Sequence, residues 1–272
     1  MKMSFNNKVV IITGGSRGLG KKLAVRFSKL NANVILLDKD EAGGNIVVND
    51  IKAMNKKAEF VKVDLTKDGD FSKTINIIKG KFGKIDVLIN NARGRGSKNP
   101  PLIEKASDWE DMFKIALKEP FYAAIEFIKA AEGAKTKSCI LNISSVAASF
   151  IGHESPSYHM TKASLEAMTK YLAVFGGAKG VRVNAIRPGF IVQDEHAAKY
   201  LHNNNLSYKR LAEFSHPVNR VGSSDDIADA AIFLCSSKAE FITGQILTID
   251  GGLTIQDPWD LLFSFAKARN LL

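Results

Sequence analysis

The chain has 272 residues, of which 45% are hydrophobic and 24% are charged. This composition is typical of a folded globular protein and argues against an intrinsically disordered chain. The formal net charge is +10, but the lysines are scattered and no nucleic-acid recognition motif accompanies them. We therefore interpret the charge as solvated helix faces and expect no nucleic-acid partner.

The cysteines and the apolar segments bear on the cellular compartment. Cys139 and Cys235 lie in apolar runs beside small residues, which is typical of buried thiols in a reducing compartment and not of a disulfide. No apolar run has the length of a signal-peptide core or a membrane span. We expect a cytoplasmic protein with no membrane partner. We also expect no metal, because no cluster of Cys, His or carboxylates has ligand spacing.

A glycine-rich turn follows the first apolar run. Residues 9–12 are continuously apolar, residues 13–20 have the sequence TGGSRGLG, and apolar residues then recur at helical spacing. This order predicts a buried strand, a turn and an amphipathic helix, the beginning of a βαβ unit. Backbone N–H groups in such a turn can approach a phosphate at the helix N-terminus, although a tight loop is the alternative. The candidate cofactor-binding residues of this turn are Gly14, Ser16, Arg17, Gly18, Leu19 and Gly20.

The next apolar run, residues 34–37, ends in Asp38. A carboxylate at the end of the second strand, about twenty residues after the glycine turn, can accept hydrogen bonds from the adenosine ribose of a dinucleotide. It would repel a 2′-phosphate, so the sequence favours NAD over NADP. Arg17 and Lys39 could bind that phosphate, which keeps NADP as the less favoured alternative.

The rest of the chain continues the alternation of strands and helices. The further apolar runs are residues 58–63, 85–89, 140–143, 181–186 and 246–249. This pattern predicts an α/β fold with a mostly parallel, seven-stranded sheet and helices on both faces. We expect a single domain over residues 1–255 and an amphipathic helical extension over residues 256–272.

Ser145, Tyr158 and Lys162 lie in a short stretch that begins where an apolar strand ends. Tyr158 and Lys162 are four residues apart, so on a helix they share a face. A cation beside a phenol favours the phenolate, which equips a tyrosine to exchange protons with an alcohol or a carbonyl group. The three residues alone could have this spacing by chance, so the other motifs decide their meaning.

Together these segments resemble the short-chain dehydrogenase/reductase family over residues 5–255. The matching residues are Thr13-Gly14 with Gly18 and Gly20, Asp64, Asn90-Asn91-Ala92, Ser145, Tyr158 with Lys162, Asn184-Ala185 with Pro188-Gly189, and Asp250-Gly251-Gly252. The resemblance implies a Rossmann-type, doubly wound fold. It also implies an NAD(H)-dependent oxidoreductase that interconverts a secondary alcohol and a ketone by hydride transfer.

The resemblance further implies roles for single residues. Tyr158 would be the catalytic acid/base, Lys162 would hold its charge beside it and bind the nicotinamide ribose, and Ser145 would hydrogen-bond the substrate oxygen. Asp64 and Leu65 would contact the adenine. The segment 190–217 would form a mobile lid over the substrate. The other implied cofactor contacts are Asn91, Ala92, Pro188, Gly189 and Ile191.

Three positions depart from the family pattern, one of them Arg93, where the family more often has a glycine. Ala116 stands where the family usually has an asparagine, whose side chain or associated helix bend holds a water that relays protons to the lysine. An alanine side chain cannot hold a water, so a backbone carbonyl suffices, another residue substitutes, or turnover is slow. This departure keeps open a second function, a catalytically weak dinucleotide-binding regulatory protein. Gln193 stands where a threonine commonly contacts the nicotinamide carboxamide.

Three cations follow the Asn90-Asn91-Ala92 motif, namely Arg93, Arg95 and Lys98. Arginine recognises carboxylates and phosphates through paired hydrogen bonds, so we expect a substrate that bears such a group, for example an acidic sugar or a keto acid. A solvated loop is the alternative interpretation. His153 is a further candidate substrate contact, and the nearby His159 is interpreted as site lining or surface.

The last segment of the chain predicts a helix. Asp257 can cap it and Pro258 would be its first residue. The apolar residues that fall on one of its faces are Trp259, Leu262, Phe263 and Ala266. This stripe either packs on its own subunit or forms an oligomer contact, and we expect a homo-oligomer, either a dimer or a tetramer.

Overall fold

Seven strands form one parallel sheet, and two short strands pair separately. The computed structural model describes residues 3–94, 104–132, 137–202 and 206–269. The strands are β1 (Val9–Thr13), β2 (Asn33–Asp38), β3 (Lys57–Lys62), β4 (Val87–Asn90), β5 (Ser138–Ile143), β6 (Val181–Pro188), β7 (Ile191–Val192), β8 (Gly222–Ser223) and β9 (Ile246–Ile249). The large sheet has the order β3-β2-β1-β4-β5-β6-β9. The predicted seven-stranded parallel sheet is thus confirmed.

Helices cover both faces of the sheet. The helices of the described residues are α1 (Gly18–Lys29), α2 (Glu41–Ala53), α3 (Asp70–Phe82), α4 (Ala106–Phe113), α5 (Glu119–Ala131), α6 (Pro156–Gly177), α7 (Asp194–Leu201), α8 (Leu206–Phe214), α9 (Ser224–Cys235) and α10 (Pro258–Ala268). In β1, Val10 and Ile12 pack in the hydrophobic cluster of α1, α2 and α9, whereas Val9 and Ile11 pack in that of α3, α5 and α6. Because both faces are buried, the strands appear in the sequence as continuous apolar runs.

The strand order reverses at β1, which lies between β2 and β4. The loops that follow β1 and β4 therefore lead to opposite faces of the sheet, and they leave a crevice between them at the carboxyl ends of these strands. Thr13, the last residue of β1, ties the two strand ends together. Its Oγ1 accepts hydrogen bonds from the backbone N–H groups of Asn91 and Ala92, both at 3.0 Å.

The observed element boundaries differ from the predicted ones by a few residues. β3 begins one residue earlier, at Lys57, and β4 begins at Val87 and not at residue 85. β6 continues to Pro188 because it pairs with β9 as far as Ile249. The segment 190–217 contains β7, α7 and α8, and β7 is held by its pairing with β8.

The predicted C-terminal helix is present as α10, with Asp257 as its cap and Pro258 as its first residue. Phe265 packs against Phe214 of α8, with ring centroids 5.5 Å apart. The predicted apolar stripe remains largely on the surface, with exposed fractions of 74% for Trp259, 63% for Leu262 and 51% for Phe263. The protomer therefore leaves this face of α10 uncovered.

Both cysteines are free thiols in buried positions, Cys139 on β5 and Cys235 at the end of α9. Within the described ranges, no group of His, Cys, Asp and Glu side chains could hold a metal ion. In the same part of the chain, no helix is both long enough and apolar enough to cross a bilayer.

Candidate active site

A cavity of about 1000 Å³ lies at the carboxyl ends of the parallel strands. The predicted site residues that line it are Gly14, Arg17, Gly18, Leu19, Gly20, Asp38, Asp64, Leu65, Asn91, Ala92, Arg93, Ser145, Tyr158, Lys162, Pro188, Gly189 and Ile191. Ser16 is buried beside the glycine turn and hydrogen-bonds Asp38. Arg95 and Lys98 lie outside the described residues. Side chains that are distant in the sequence thus meet in one cavity.

The turn between β1 and α1 brings bare backbone to this cavity. Gly14 and Gly18 have φ angles of 66° and 53°, in the left-handed region that favours glycine. At Gly20, a Cβ atom would lie 2.0 Å from the carbonyl oxygen of Gly14, so no larger residue fits. α1 begins at Gly18, and an anion in the cavity can therefore use the positive end of the helix dipole.

Asp38 is fixed at the end of β2 by two backbone donors. The N–H of Ser16 donates to its Oδ2 and the N–H of Asp40 donates to its Oδ1, both at 3.1 Å. Each carboxylate oxygen retains a lone pair that can accept a hydroxyl donor. Arg17 and Lys39 are exposed and line the same cavity, so cations are present beside this carboxylate as well.

Asp64 is a second fixed carboxylate, just after β3. Its Oδ1 accepts hydrogen bonds from the N–H of Thr66 at 3.0 Å and from the Thr66 hydroxyl at 2.8 Å. The backbone hydrogen bond from Thr66 is the main cause that lowers the pKa of Asp64 below its ordinary value. The charges of Lys39 and Lys67 act in the same direction. Asp64 is therefore a stable acceptor at neutral pH.

Asn91 supports the glycine turn from the side of β4. Its Nδ2 donates to the carbonyl oxygen of Thr13 at 2.9 Å and to that of Gly14 at 3.2 Å. The turn after β1 is therefore held in place by a side chain that follows β4. Asn91 therefore stabilises the conformation of the glycine turn at the cavity.

Ser145 begins the loop that follows β5. It caps a single 3-10 turn, and its Oγ accepts a hydrogen bond from the N–H of Ala147 at 3.2 Å. The end of β5 is fixed by a chain of buried amides and a hydroxyl. Asn90 donates to Asn142, and Asn142 donates to Thr169 of α6, each at 2.8 Å. These bonds hold β4, β5 and α6 together next to Ser145.

Tyr158 and Lys162 lie one turn apart on α6, as predicted. Ser155 caps this helix and accepts a hydrogen bond from the N–H of Tyr158 at 3.3 Å. The Nζ of Lys162 lies 5.6 Å from the centroid of the Tyr158 ring and donates to the carbonyl oxygen of Ile143 at 2.7 Å. The Cζ of Arg93 lies 5.8 Å from the same centroid. The phenol is therefore flanked by two cationic side chains.

Lys162 is only 3% exposed. Its burial lowers the pKa of the ammonium group to about 7, and the charge of Arg93 contributes in the same direction. The group can therefore gain and lose a proton near neutral pH. This makes Lys162 a competent partner for proton exchange in the cavity.

A partly buried ion pair joins α6 to the ends of β5 and β6. Glu166 accepts hydrogen bonds from the hydroxyl of Ser144 and from the Nε of Arg187, both at 2.8 Å. The hydrogen bond to Glu166 raises the pKa of Arg187 further, so the pair stays charged. This glutamate was not predicted as a site residue, because a lone acidic residue in a helix is most often on the surface.

Ala116 lies in a π-helical turn, Lys114–Lys118, that joins α4 to α5. Turns of this kind are frequently found at functional sites. Ala116 is 3% exposed and belongs to a small buried cluster with Met112, Ala147 and Tyr158. Its methyl group therefore fills space in the packing around the candidate acid/base.

The two histidines near Tyr158 have different environments. His153 is exposed and lies outside the residues that line the cavity, whereas His159 lines it and is 8% exposed. The Nδ1 of His159 lies 2.7 Å from the carbonyl oxygen of Ala147, and its Nε2 accepts from the N–H of Gly152 at 3.3 Å. We assign the Nδ1–H tautomer from these partners. His159 thus braces the loop that begins at Ser145.

Several lining residues were not identified from the sequence. They include Ile115, Phe150, Ile151, Glu154, Glu195, His196 and Leu253. Glu195 has a defined contact, since its Oε1 accepts a hydrogen bond from the N–H of Gly18 at 2.6 Å. No local signal could have identified it, because this contact joins residues 177 positions apart.

The low pKa of Lys162 predicts a pH dependence of stability. In the protein without cofactor, the pKa in the folded state is about 7, against an ordinary value of 10.5. At pH values between these two pKa values, Lys162 is protonated in the unfolded chain and largely deprotonated in the folded protein. The unfolded chain therefore binds more protons than the folded protein, so the free energy of unfolding rises with pH. Relative to Lys162→Met, we expect the wild type to gain stability between about pH 7 and pH 10, by at most about 1.4 kcal/mol per pH unit. Urea denaturation at several pH values measures this difference, and a difference that does not change with pH would contradict the prediction.

The cavity lies within a segment that matches a known protein family. The family model described as enoyl-(acyl carrier protein) reductase matches residues 14–254. Among solved structures, a putative short-chain alcohol dehydrogenase from Sinorhizobium meliloti 1021 is 25% identical with a TM-score of 0.84, covering 93% of this chain and 99% of that one. A 7α-hydroxysteroid dehydrogenase complexed with NADH and 7-oxo glycochenodeoxycholic acid is 31% identical with a TM-score of 0.80, covering 92% and 95%.

Two relatives match by sequence over almost the whole chain. The 7α-hydroxysteroid dehydrogenase of Escherichia coli (strain K12) is 33% identical over 251 residues, covering 92% of this chain and 95% of the relative. The 3-oxoacyl-(acyl-carrier-protein) reductase of Chlamydia pneumoniae is 32% identical over 254 residues, covering 93% and 100%. This chain therefore belongs to the short-chain dehydrogenase/reductase family and is an oxidoreductase that acts on CH–OH groups.

Proposed function

We propose that this enzyme uses NAD(H) to interconvert a secondary alcohol and a ketone by hydride transfer. The observation that carries the proposal is the position of Tyr158 beside Lys162 in the cavity that also contains the glycine turn and Asp38. A phenol that can exchange protons and a binding site for a dinucleotide are the two components that this reaction requires. Relatives named as a dehydrogenase and a reductase support the same class of chemistry.

The chemistry of one end of the cavity fits a dinucleotide. The bare backbone from Gly14 to Gly20 and the N-terminus of α1 suit a pyrophosphate group. Asp38 has free lone pairs for ribose hydroxyls. Its negative charge opposes a 2′-phosphate, which supports NAD over NADP. Arg17 and Lys39 are the features that would favour NADP.

The residues around Tyr158 can move the proton that accompanies hydride transfer. When bound, the nicotinamide supplies or accepts the hydride. In the reduction direction, the Tyr158 hydroxyl donates its proton to the substrate oxygen, and in the oxidation direction the phenolate accepts the alcohol proton. The hydroxyl of Ser145 hydrogen-bonds the same oxygen and stabilises its developing charge. The ammonium group of Lys162, held by the carbonyl of Ile143, stabilises the phenolate.

Removal of the phenolic hydroxyl tests this function. We expect Tyr158→Phe to bind NADH within about twofold of wild type and to lose hydride transfer by a factor of about 10² to 10⁴, the usual contribution of a positioned acid/base. Calorimetry with NADH and NADPH measures cofactor binding, and NADH absorbance measures turnover on acidic and neutral ketones. The matched control is Tyr171→Phe, because Tyr171 is on the same helix and 57% exposed.

Three outcomes of this experiment would count against the proposal. Undiminished turnover in Tyr158→Phe would remove this residue from the proton transfer. Tighter binding of NADPH than of NADH would contradict the role assigned to Asp38. Failure to bind either dinucleotide would overturn the proposed use of this cofactor class.

We further propose that the substrate carries a carboxylate or a phosphate near its carbonyl group, as in a keto acid or an acidic sugar. Arg93 lines the cavity, and its guanidinium lies 5.8 Å from the ring of Tyr158. An anionic group that pairs with this guanidinium would therefore be a few bonds away from the reacting carbon. Paired hydrogen bonds to arginine make such recognition specific.

Substitution of Arg93 tests the charge of the substrate. We expect Arg93→Ala to raise the KM of an accepted keto acid by about tenfold or more, since hydrogen bonds between charged groups contribute about 1.5–3 kcal/mol. The KM of the corresponding methyl ester should stay unchanged. Steady-state kinetics measures both values. Lys105→Ala is the control, because Lys105 is exposed and does not line the cavity. Equal effects on acid and ester would contradict an anionic substrate.

A second candidate function is that of a dinucleotide-binding regulatory protein with weak turnover. It is favoured by Ala116, which offers no side-chain group to hold a relay water next to Tyr158. The π-helical turn at this position replaces the usual hydrogen bond to the fourth preceding residue. The N–H of Glu119 donates to the carbonyl of Lys114, five residues earlier. Binding of NADH without turnover on any ketone of the panel would favour this function over the first.

We also propose that the protein forms a homo-oligomer, a dimer or a tetramer, in the cytoplasm. Residues 1–255 would form the domain, and residues 256–272 would add α10 as an extension. The uncovered apolar face of α10 supports a contact between copies, because exposed patches of this kind mark interaction sites. The two free, buried thiols suit a reducing compartment.

A charge placed on α10 tests the oligomer contact. We expect Leu262→Glu to lower the mass of the oligomer, because burying a carboxylate in an apolar contact is unfavourable. Ile77→Glu is the matched control, since Ile77 is 68% exposed on α3. Sedimentation velocity measures the mass of each variant. A wild type that sediments as a monomer, or a Leu262→Glu variant with unchanged mass, would contradict this role of α10.

A further inference from the structure

The first turn of α7 makes a direct contact with the N-terminus of α1. The N–H of Gly18, the first residue of α1, donates to the Oε1 of Glu195 at 2.6 Å. Gln193 lies against the same residue, since a Cβ atom on Gly18 would come within 2.4 Å of its Oε1. The carboxylate of Glu195 thus lies on the backbone that the proposed function assigns to the pyrophosphate of the cofactor.

A salt bridge holds α7 in this position. The Nζ of Lys22 lies 2.8 Å from Asp194 on α7 and 3.0 Å from Asp225 on α9. The hydrogen bond to Asp194 is the largest influence on Lys22 and raises its pKa above the ordinary value. Lys22 therefore carries a positive charge at neutral pH and joins the first turn of α7 to the body of the fold.

A carboxylate at this place satisfies the same physical requirement as a phosphate. The N-terminal N–H groups of a helix lack intrahelical acceptors and carry a partial positive charge, which stabilises a nearby anion. An oxygen of a pyrophosphate would accept a hydrogen bond from the same N–H of Gly18. The negative charge of the pyrophosphate would also be repelled by the carboxylate of Glu195. The carboxylate and the pyrophosphate cannot occupy this backbone together.

We propose that Glu195 is an internal competitor for the pyrophosphate subsite. Cofactor binding must displace its carboxylate from Gly18, so the Glu195 side chain leaves the N-terminus of α1 whenever the dinucleotide enters. The inference rests on the proposed function for the identity of the ligand, but the contact itself lies within this chain. Glu195 therefore lowers the affinity for the cofactor and couples its binding to the contact between α1 and α7.

Removal of the charge on Glu195 tests the inference in the full-length protein. We expect Glu195→Gln and Glu195→Ala to bind NADH about fivefold more tightly than wild type, the factor that corresponds to about 1 kcal/mol for a charge at a helix terminus. Asp194→Asn should give a smaller gain, because it removes only the tether to Lys22. Glu213→Gln on α8 is the matched control, since Glu213 pairs with Lys209 of the same helix.

A second measurement uses inorganic pyrophosphate as the probe and thermal unfolding as the readout. We expect pyrophosphate to raise the melting temperature of Glu195→Ala at lower concentrations than it does for wild type and for Glu213→Gln. This measurement does not depend on a nicotinamide or on turnover. It therefore reports on the subsite even if the enzyme used another cofactor.

The outcomes separate this inference from the proposed function. Equal NADH affinity in wild type and both Glu195 variants would overturn the inference and leave the NAD(H) function in place. Weaker binding of NADH by both Glu195 variants would show that Glu195 assists cofactor binding, and this result would also overturn the inference. If neither wild type nor any variant bound NADH, the proposed function would fail. If pyrophosphate then raised the melting temperatures of wild type and Glu195→Ala at the same concentrations, the inference would be overturned as well.

Discussion

The hydrogen bond from the buried ammonium group of Lys162 to the carbonyl of Ile143 connects the fold to its chemistry. It fixes α6 on the end of β5, so that Tyr158 lies one turn before Lys162 and Ser145 lies two residues beyond β5. A strand end and a helix thereby present their functional groups to one cavity. The ion pair of Glu166 strengthens the same connection, because a misplaced α6 would leave this carboxylate buried without partners.

The parallel sheet explains why the proposed cofactor end and the proposed reactive end belong to one cavity. All seven strands end at the same edge, and the reversal of strand order at β1 opens the crevice there. Thr13 and Asn91 then bind the turns after β1 and β4 to each other. Since these bonds involve backbone groups, the shape of the phosphate end depends on the fold itself. The proposed substrate end also contains side chains of loops, such as Arg93 and Ser145, where differences between relatives can accumulate.

The sequence predicted those features that have a local signal. Buried strands produce continuous apolar runs, the glycine turn has a defined spacing, and Tyr158 and Lys162 share a helix face through their separation of four. Features created only by the folded chain were not predictable. The contact of Glu195 with Gly18 spans 177 positions, and the place of His159 depends on how its loop returns to α6. Helical periodicity also gave no indication of a π turn at Ala116, because a single π turn shifts the apolar register of a helix by only about one residue.

The charges at the two ends of the cavity act on different ligands. Glu195 would oppose an anion at the glycine turn, whereas Arg93 would attract an anion beside Tyr158. Arg93 also affects Lys162, whose pKa is lowered first by burial and then by this neighbouring charge. An anionic substrate paired with Arg93 would offset that charge and favour the ammonium form of Lys162, which stabilises the phenolate. Substrate recognition and proton transfer would then be electrostatically coupled, so that a neutral ketone of the same shape would bind to a less active site.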